Sequence, residues 1–429
     1  MLNSKSDVRG AIVLPLTFAA GEIMDTRTEF SEADTAAPLI LHLSADYPNP
    51  QQFHRRTTAI QRLVTGTDYG RHVVVTMDRT SLPWKACFMD CGEDKGVRLY
   101  SYRYFGLPMG FGLAMAMRRV ARHVLKTMKA EHGLPALVHA HKLSFEGIAG
   151  LWLVERFGPD TRLFVSVRGE SERKVLLFKP TYRNLMRRIA ARADKIYHIS
   201  AWFRDTYHRY VPEQPEKERL LPNIVGNSTS KVPVKDPIPR FVSVFDLDMR
   251  KRKGMSDLLQ GFAAFRKTHP GIGLDLIGPG SPEAVEAAKK EIADLGLGGS
   301  VEILGPMDSK TLFEVLPNYL AMALVSYNET FGMVYLEALF AGLPIIYGKD
   351  TGIDGYLDDI DVGIGVKPGD VAGIAAAFTD LAEKSDHYRN QIVASEQILH
   401  DRFNPAMILE SYRQDLEAIL NPAQQRSRM

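Results

Sequence analysis

The sequence predicts a two-domain α/β protein in which each domain is a doubly wound parallel sheet. Three observations predict it. The chain has 429 residues, more than one hydrophobic core ordinarily serves. Short, often β-branched apolar runs alternate with longer amphipathic stretches, the pattern of a parallel sheet covered by helices on both faces. The alternation breaks once, at VGNSTSKVPVKDPIPR over residues 225–240, where prolines and small polar residues leave no period.

Before the break, residues 39–43, 72–76, 137–140, 163–167 and 195–199 read as buried strands, with helices over 51–63 and 113–128. After it, strands are predicted over 241–245, 274–277, 301–304, 322–325, 344–347 and 362–366. The helices expected between them cover 256–267, 282–295, 309–316, 332–341 and 371–383. Two more, near 387–400 and 405–420, close the chain. The domains are therefore set as a loosely ordered leader over 1–36, a first domain over 37–225, a linker over 226–240 and a second domain over 241–400. The segment 401–429 is a terminal helix returning to the first domain. Ligands of open α/β sheets bind beyond the carboxyl ends of the strands, so chemistry is expected in the loops that follow them.

Composition excludes several classes. Apolar residues make up 45% and charged residues 24%, with a formal net charge of +2, so bulk charge calls for no nucleic-acid partner. Cys87 and Cys91 are the only cysteines; they read as ordinary thiols in a reducing cytoplasm, since a disulfide framework or a zinc site needs more. No apolar run reaches the roughly 20 residues of a membrane span. Lys5 and Arg9 precede an apolar stretch over 11–20, like a weak signal peptide, but Pro15 interrupts it and no clear cleavage site follows.

The stretch VSYNETFGMVYLEALFAGLP, residues 325–344, is the most informative. It reads as a strand end, a short loop holding Glu329, and a helix opening near Gly332 with Glu337 inside it. The first turn of such a helix offers unpaired N–H groups at the positive end of its dipole, a ready phosphate site. Two carboxylates eight positions apart can grip hydroxyls on either side of a diphosphate. A solvated helix residue and a capping neighbour have the same spacing; the strand–loop–helix context separates the readings.

This segment resembles the signature of family-4 glycosyltransferases, E-x-F-G-(x)4-E-A-x-A-x-G-x-P, with Phe340 where the family usually has alanine. The resemblance covers most of residues 137–385. It implies a GT-B fold, two Rossmann-like domains facing across a cleft, with the acceptor on the first and a nucleotide-sugar donor on the second. By the same resemblance Glu329 contacts the donor sugar and Glu337 the ribose. The backbone of Thr330, Phe331, Gly332, Met333 and Val334 holds the diphosphate, which Lys253 also binds. Phe245-Asp246 stands where the family has Gly-Arg, and Arg250 or Arg252 could substitute as the cation.

In the first domain, the resemblance makes His141, with His139 as alternate, the histidine beside the reacting sugar. Arg168 occupies an acceptor-side loop; a surface bridge with Glu170 is its structural reading. Ser200 matches a family serine, and residues 221–225, LPNIV, match a strand-end turn. The Gly-Gly loop usual after the first strand is absent from SADYPNPQQFHRR, which points to an acceptor unlike glycogen or sucrose.

The implied activity is a retaining, metal-independent hexosyl transfer from a nucleotide-diphosphate sugar, without a cofactor, to a glycan or lipid-linked acceptor in bacterial surface polysaccharide synthesis. A subunit that binds without turnover and a GT-B sugar-nucleotide epimerase are the competing readings. Basic amphipathic stretches over 115–129 and 179–195 fit either solvated helices or peripheral contact with the inner face of the membrane.

Overall fold

Most strand residues in both halves are buried on two faces, as a parallel sheet between helical layers requires. The computed structural model describes residues 37–51, 57–226 and 228–421. The expected leader over 1–36 and part of the expected helix over 51–63 lie outside the described residues.

The first domain runs β1 (Leu39–Ser44), α1 (Ala59–Gly66), β2 (Arg71–Thr80), β3 (Cys87–Asp94), β4 (Val97–Phe105), α2 (Leu113–Glu131) and β5 (Leu137–Ala140). It continues with α3 (Glu146–Phe157), β6 (Arg162–Val167), α4 (Glu170–Phe178), α5 (Pro180–Arg192), β7 (Lys195–His198), α6 (Arg204–His208) and β8 (Glu218–Leu220). The strand order is β3-β4-β2-β1-β5-β6-β7-β8, parallel except for β3 on β4. The β3–β4 hairpin is not legible in the sequence. Strand β3 is an exposed edge whose polar residues do not alternate. It carries both cysteines, which are free thiols.

The second domain runs β9 (Arg240–Val244), α7 (Met255–Arg266), β10 (Gly273–Ile277), α8 (Pro282–Asp294), β11 (Val301–Gly305), α9 (Ser309–Val315) and β12 (Met322–Leu324). There follow α10 (Met333–Phe340), β13 (Ile345–Gly348), β14 (Gly363–Val366) and α11 (Val371–Glu383). Its all-parallel sheet has the order β11-β10-β9-β12-β13-β14. The helix starts follow from sequence. Side chains of Ser281, Asp308 and Asp370 accept first-turn N–H groups of α8, α9 and α11, and Pro282 fits the first turn of α8.

The single helix expected near 387–400 is two, α12 (Ser385–Ala394) and α13 (Glu396–Phe403). The break at Ser395 turns the chain so that Leu399 and Phe403 enter the second core. Helix α14 (Pro405–Leu420), capped by Asn404, then packs on the first sheet. Its Ile408, Tyr412 and Leu416 join Ile40, Leu137, Phe164 and Tyr197 in one buried cluster. The chain thus crosses between domains twice. One crossing falls between Ile224, in the first-domain cluster, and Val225, in the second core. The other falls at Asn404, three residues beyond the expected boundary.

Each sheet reverses its winding at one place. In the first this lies between β1 and β5, in the second between β9 and β12. Loops leave such a point in opposite directions and open a crevice.

Tyr412 is fully buried and shares a 2.8 Å hydrogen bond with His139 Nδ1. Tyr412→Ala is expected to destabilise the first domain by about 3–5 kcal/mol, and Tyr412→Phe by about 1–2 kcal/mol through the orphaned imidazole. Urea unfolding followed by fluorescence measures both.

Candidate functional site

The loops from the two switch points face one cleft of about 1670 Å³. Drug-sized ligands occupy roughly 300–1,000 Å³, so this volume has room for two substrates at once.

The second-domain wall is built from the loops after β9 and β12. Gly254 (φ 72°) opens α7, and a Cβ there would lie 2.2 Å from the Val325 carbonyl oxygen. That contact, with Tyr327 N donating to Arg252 O (2.9 Å), fuses the two loops. It places Lys253 against Glu329, and the two form an ion pair whose side chains are 15% and 13% exposed. The Glu329 backbone is fixed by Thr351, whose hydroxyl accepts its N–H at 2.7 Å.

Gly332 (φ 75°) precedes α10, and no side chain caps that helix. Thr330, Phe331, Gly332, Met333 and Val334 all line the cleft, as does Glu337. Beneath them Tyr335 is locked by its hydroxyl donating to Leu324 O (2.7 Å). Burial holds the Glu337 carboxyl above its ordinary pKa, with Arg62 pulling the other way.

The missing Gly-Arg pair is clarified. Asp246 lines the cleft, but its carboxylate caps a short turn by accepting Asp248 N at 3.0 Å. Of the two candidate replacements, Arg250 is not among the cleft-lining residues; its guanidinium donates to Leu247 O. Arg252 does line the cleft and stands 3.8 Å from Glu170 of the first domain.

First-domain expectations need two corrections. His141 does not face the cleft. Its ring is fully buried, stacked 4.0 Å from His139 and joined through Nε2 to His42 Nδ1 at 3.1 Å. His139, the alternate, is taken up by Tyr412 and Ser166. Burial pushes its imidazole down to about 3. Adjacent strands β1 and β5 carry these rings in register, His42 opposite His139, so they fill the sheet interior.

Second, Ser200 is buried at the domain contact and does not border the acceptor space. Its hydroxyl lies 2.6 Å from both Arg168 O and Thr330 O. Arg168, expected on the acceptor side or else bridged to Glu170, is engaged elsewhere. It lines the cleft with Nε donating to His141 O (2.9 Å) and Nη1 to Asn223 Oδ1 (3.2 Å).

Sequence reasoning missed three groups beside Arg168. Lys142, next after His141, pairs with Asp46 at 2.6 Å, and both line the cleft. Glu146 opens α3, buried, with Oε1 accepting Ala45 N at 2.8 Å and Oε2 without a partner. Burial and nearby Asp46 push its carboxyl up to about 7 against the pull of Lys142. All three follow strands at the switch point, and that position was the available signal.

The basic helices turn apolar residues inward. Met117, Val120, Val124 and Met128 of α2 are buried, as are Met186 and Ile189 of α5, so these side chains pack into the protein core. Met115 of α2 is 62% exposed, and two further exposed apolar side chains, Phe111 (66%) and Phe178 (77%), stand at the cleft rim. No helix among the described residues is long and apolar enough to cross a membrane.

Comparison with known proteins agrees with this architecture. Residues 234–397 match the family described as "Glycosyl transferases group 1", and residues 36–223 match the "Glycosyl transferase 4-like domain". Glycogen synthase of Mycobacterium tuberculosis is 29% identical over 154 residues, 35% of this chain and 36% of the relative. The match thus spans about a third of that relative's length. N-acetyl-alpha-D-glucosaminyl L-malate synthase of Bacillus anthracis is 23% identical over 64% of this chain and 73% of the relative. Among solved structures, Anabaena Alr3699/HepE in complex with UDP-glucose superposes with a TM-score of 0.61 at 16% identity, covering 89% of this chain and 100% of that one.

Glu146 gives a pH test. A carboxyl raised from 4.5 to about 7 on folding binds more protons in the native state, so its effect on stability becomes unfavourable as pH climbs through that window. Relative to Glu146→Gln, the wild type should lose on the order of 3 kcal/mol across it. Denaturant midpoints at a series of pH values for the two proteins check the slope.

Proposed function

This chain belongs to the GT-B glycosyltransferases of the family-4 type, and from that premise we propose that it transfers a sugar from a nucleotide-diphosphate sugar with retention of anomeric configuration. One observation carries the reading. Lys253, Glu329, the uncapped start of α10 and Glu337 converge on one wall of the cleft, at the switch point of the donor-side sheet.

The roles follow from charge and position. The diphosphate rests on the first-turn N–H groups of α10, with Lys253 and Arg252 as fixed cations. They stabilise the charge that grows on the leaving nucleotide, which is work a divalent ion does in other transferases, so transfer proceeds without metal or cofactor. Lys253 pairs with Glu329 in the structure and exchanges that carboxylate for phosphate when the donor enters. Glu329 is then released toward the sugar hydroxyls, while Glu337 accepts from the ribose. Attack comes from the face the nucleotide leaves, and a diphosphate oxygen takes the acceptor proton. Family resemblance supports this step, and a protein of the same fold, Anabaena Alr3699/HepE, has been solved in complex with UDP-glucose.

Arg252 in the cleft favours turnover over a binding-only role, since a cation is supplied where Asp246 supplies none. Transfer of sugar to an acceptor separates the proposal from the epimerase reading.

For the acceptor, the reading is a lipid-linked glycan of a bacterial surface polysaccharide, presented to a peripherally bound enzyme at the inner membrane face. Phe111 and Phe178 at the rim, with Lys174 and Lys179 beside them, suit an amphiphile with an anionic head.

Lys253→Ala and Arg252→Ala should each lower kcat/KM by roughly 10²–10³-fold while a thermal-shift panel of nucleotide sugars still registers the preferred nucleotide for at least one variant. Product anomeric configuration is read by NMR; inversion would refute retention. The double substitution Phe111→Ser/Phe178→Ser should abolish sedimentation with anionic vesicles and leave transfer to a short water-soluble acceptor unchanged.

A further inference from the structure

One buried cluster plays no part in the cleft. His198 closes β7, His208 closes α6 and Glu218 opens the edge strand β8. Their side chains are 1%, 9% and 1% exposed. The two Nε2 atoms converge on a single oxygen. His198 Nε2 lies 3.0 Å and His208 Nε2 3.1 Å from Glu218 Oε2, and the three atoms lie within 4.8 Å of one another. The other carboxylate oxygen accepts Gln214 N at 3.0 Å.

Hydrogen bonding accounts for one imidazole only. His198 Nε2 has hydrogen-bond geometry to Glu218. His208 Nε2 does not, and is buried without a hydrogen-bond partner. His208 Nδ1 faces Val211 O at 3.4 Å, which favours the proton on Nδ1 and turns the Nε2 lone pair toward the carboxylate. A nitrogen lone pair facing a carboxylate oxygen across 3.1 Å repels it unless positive charge lies between. His198 Nδ1 is buried without a partner, so an ion on Nε2 leaves a ring N–H there without the outer contact that His208 has.

We propose that His198, His208 and Glu218 bind one zinc-class divalent ion, with water completing the coordination. Two imidazoles and a carboxylate suit zinc. Bonds of about 2.0–2.1 Å in a tetrahedron separate ligand atoms by about 3.3 Å, close to the two nitrogen–oxygen distances. The Gln214 amide on Oε1 and the Val211 carbonyl facing His208 are the outer contacts that orient metal ligands. The ion clamps a three-residue edge strand and a short helix onto β7. The chain leaving β7 carries Ser200 to Thr330, and the His198 and Ile199 carbonyls accept from Tyr356 of the second domain, so the clamp steadies the domain contact. The stacked trio His42, His139 and His141 does not compete, because His42 and His139 spend both ring nitrogens on neighbours.

The test uses full-length protein purified without chelator. Metal analysis should find zinc stoichiometric with the chain. After stripping, Co²⁺ titration should give a saturable visible absorption band that zinc displaces, lost in both His208→Gln and Glu218→Gln. Chelation should lower the wild-type melting temperature by several degrees and leave the variants unmoved. No saturable band with stripped wild-type protein, or a band that survives both substitutions, overturns the proposal. The wild-type titration stands whether or not the variants fold.

Discussion

The contact between Gly254 and the Val325 carbonyl is the constraint on which the donor side of the cleft depends. Side-chain volume at 254 would separate the loops after β9 and β12. With them touching, a lysine from one strand end and a glutamate from the neighbouring strand end become partners. Tyr335 supports the same loop from below through Leu324, and Thr351 holds Glu329 from the side. The wall is therefore rigid backbone bearing two opposite charges, followed by a helix start that no side chain caps.

Pairing Lys253 with Glu329 gives each charge a partner where neither is well hydrated. An isolated charge there carries a desolvation cost that a partner offsets. In the proposed reaction, exchange of that partner for a phosphate replaces one charge-assisted contact with another, leaving no unpaired ion on Lys253. On the acceptor side the pattern is different. Arg168, Lys142, Asp46 and Glu146 form a mixed-sign group in which burial pulls the guanidinium pKa down and pushes the Glu146 carboxyl up. Within that group it is the Glu146 carboxyl that burial brings to about 7.

The fold was legible because buried parallel strands announce themselves as apolar runs: β1, β6 and β10 lie within a residue of their predicted bounds. The hairpin β3–β4 was not, because an exposed edge strand buries too little to impose alternation on its sequence. The shared wall of Glu329, Gly332 and Glu337 was legible because they sit on one continuous segment, where spacing becomes geometry directly. Residues 42, 139 and 141 show the limit. A histidine at a strand end has the same sequence context whether its ring points to the crevice or into the sheet, and here neighbouring strands supply ring partners that draw it inward. Ser200 was misplaced for a related reason: its partner Thr330 is 130 positions away.

The double crossing between domains has a mechanical consequence. Two lobes joined by one flexible linker can tumble about any axis. Here the chain passes over between 224 and 225 and passes back at 404, and α14 is buried in the lobe it returns to. A body tethered at two points retains free rotation only about the line through them. Any relative movement of the lobes is therefore confined chiefly to rotation about that line, which would carry the loop bearing Lys142 past the loop bearing Arg252 along one arc.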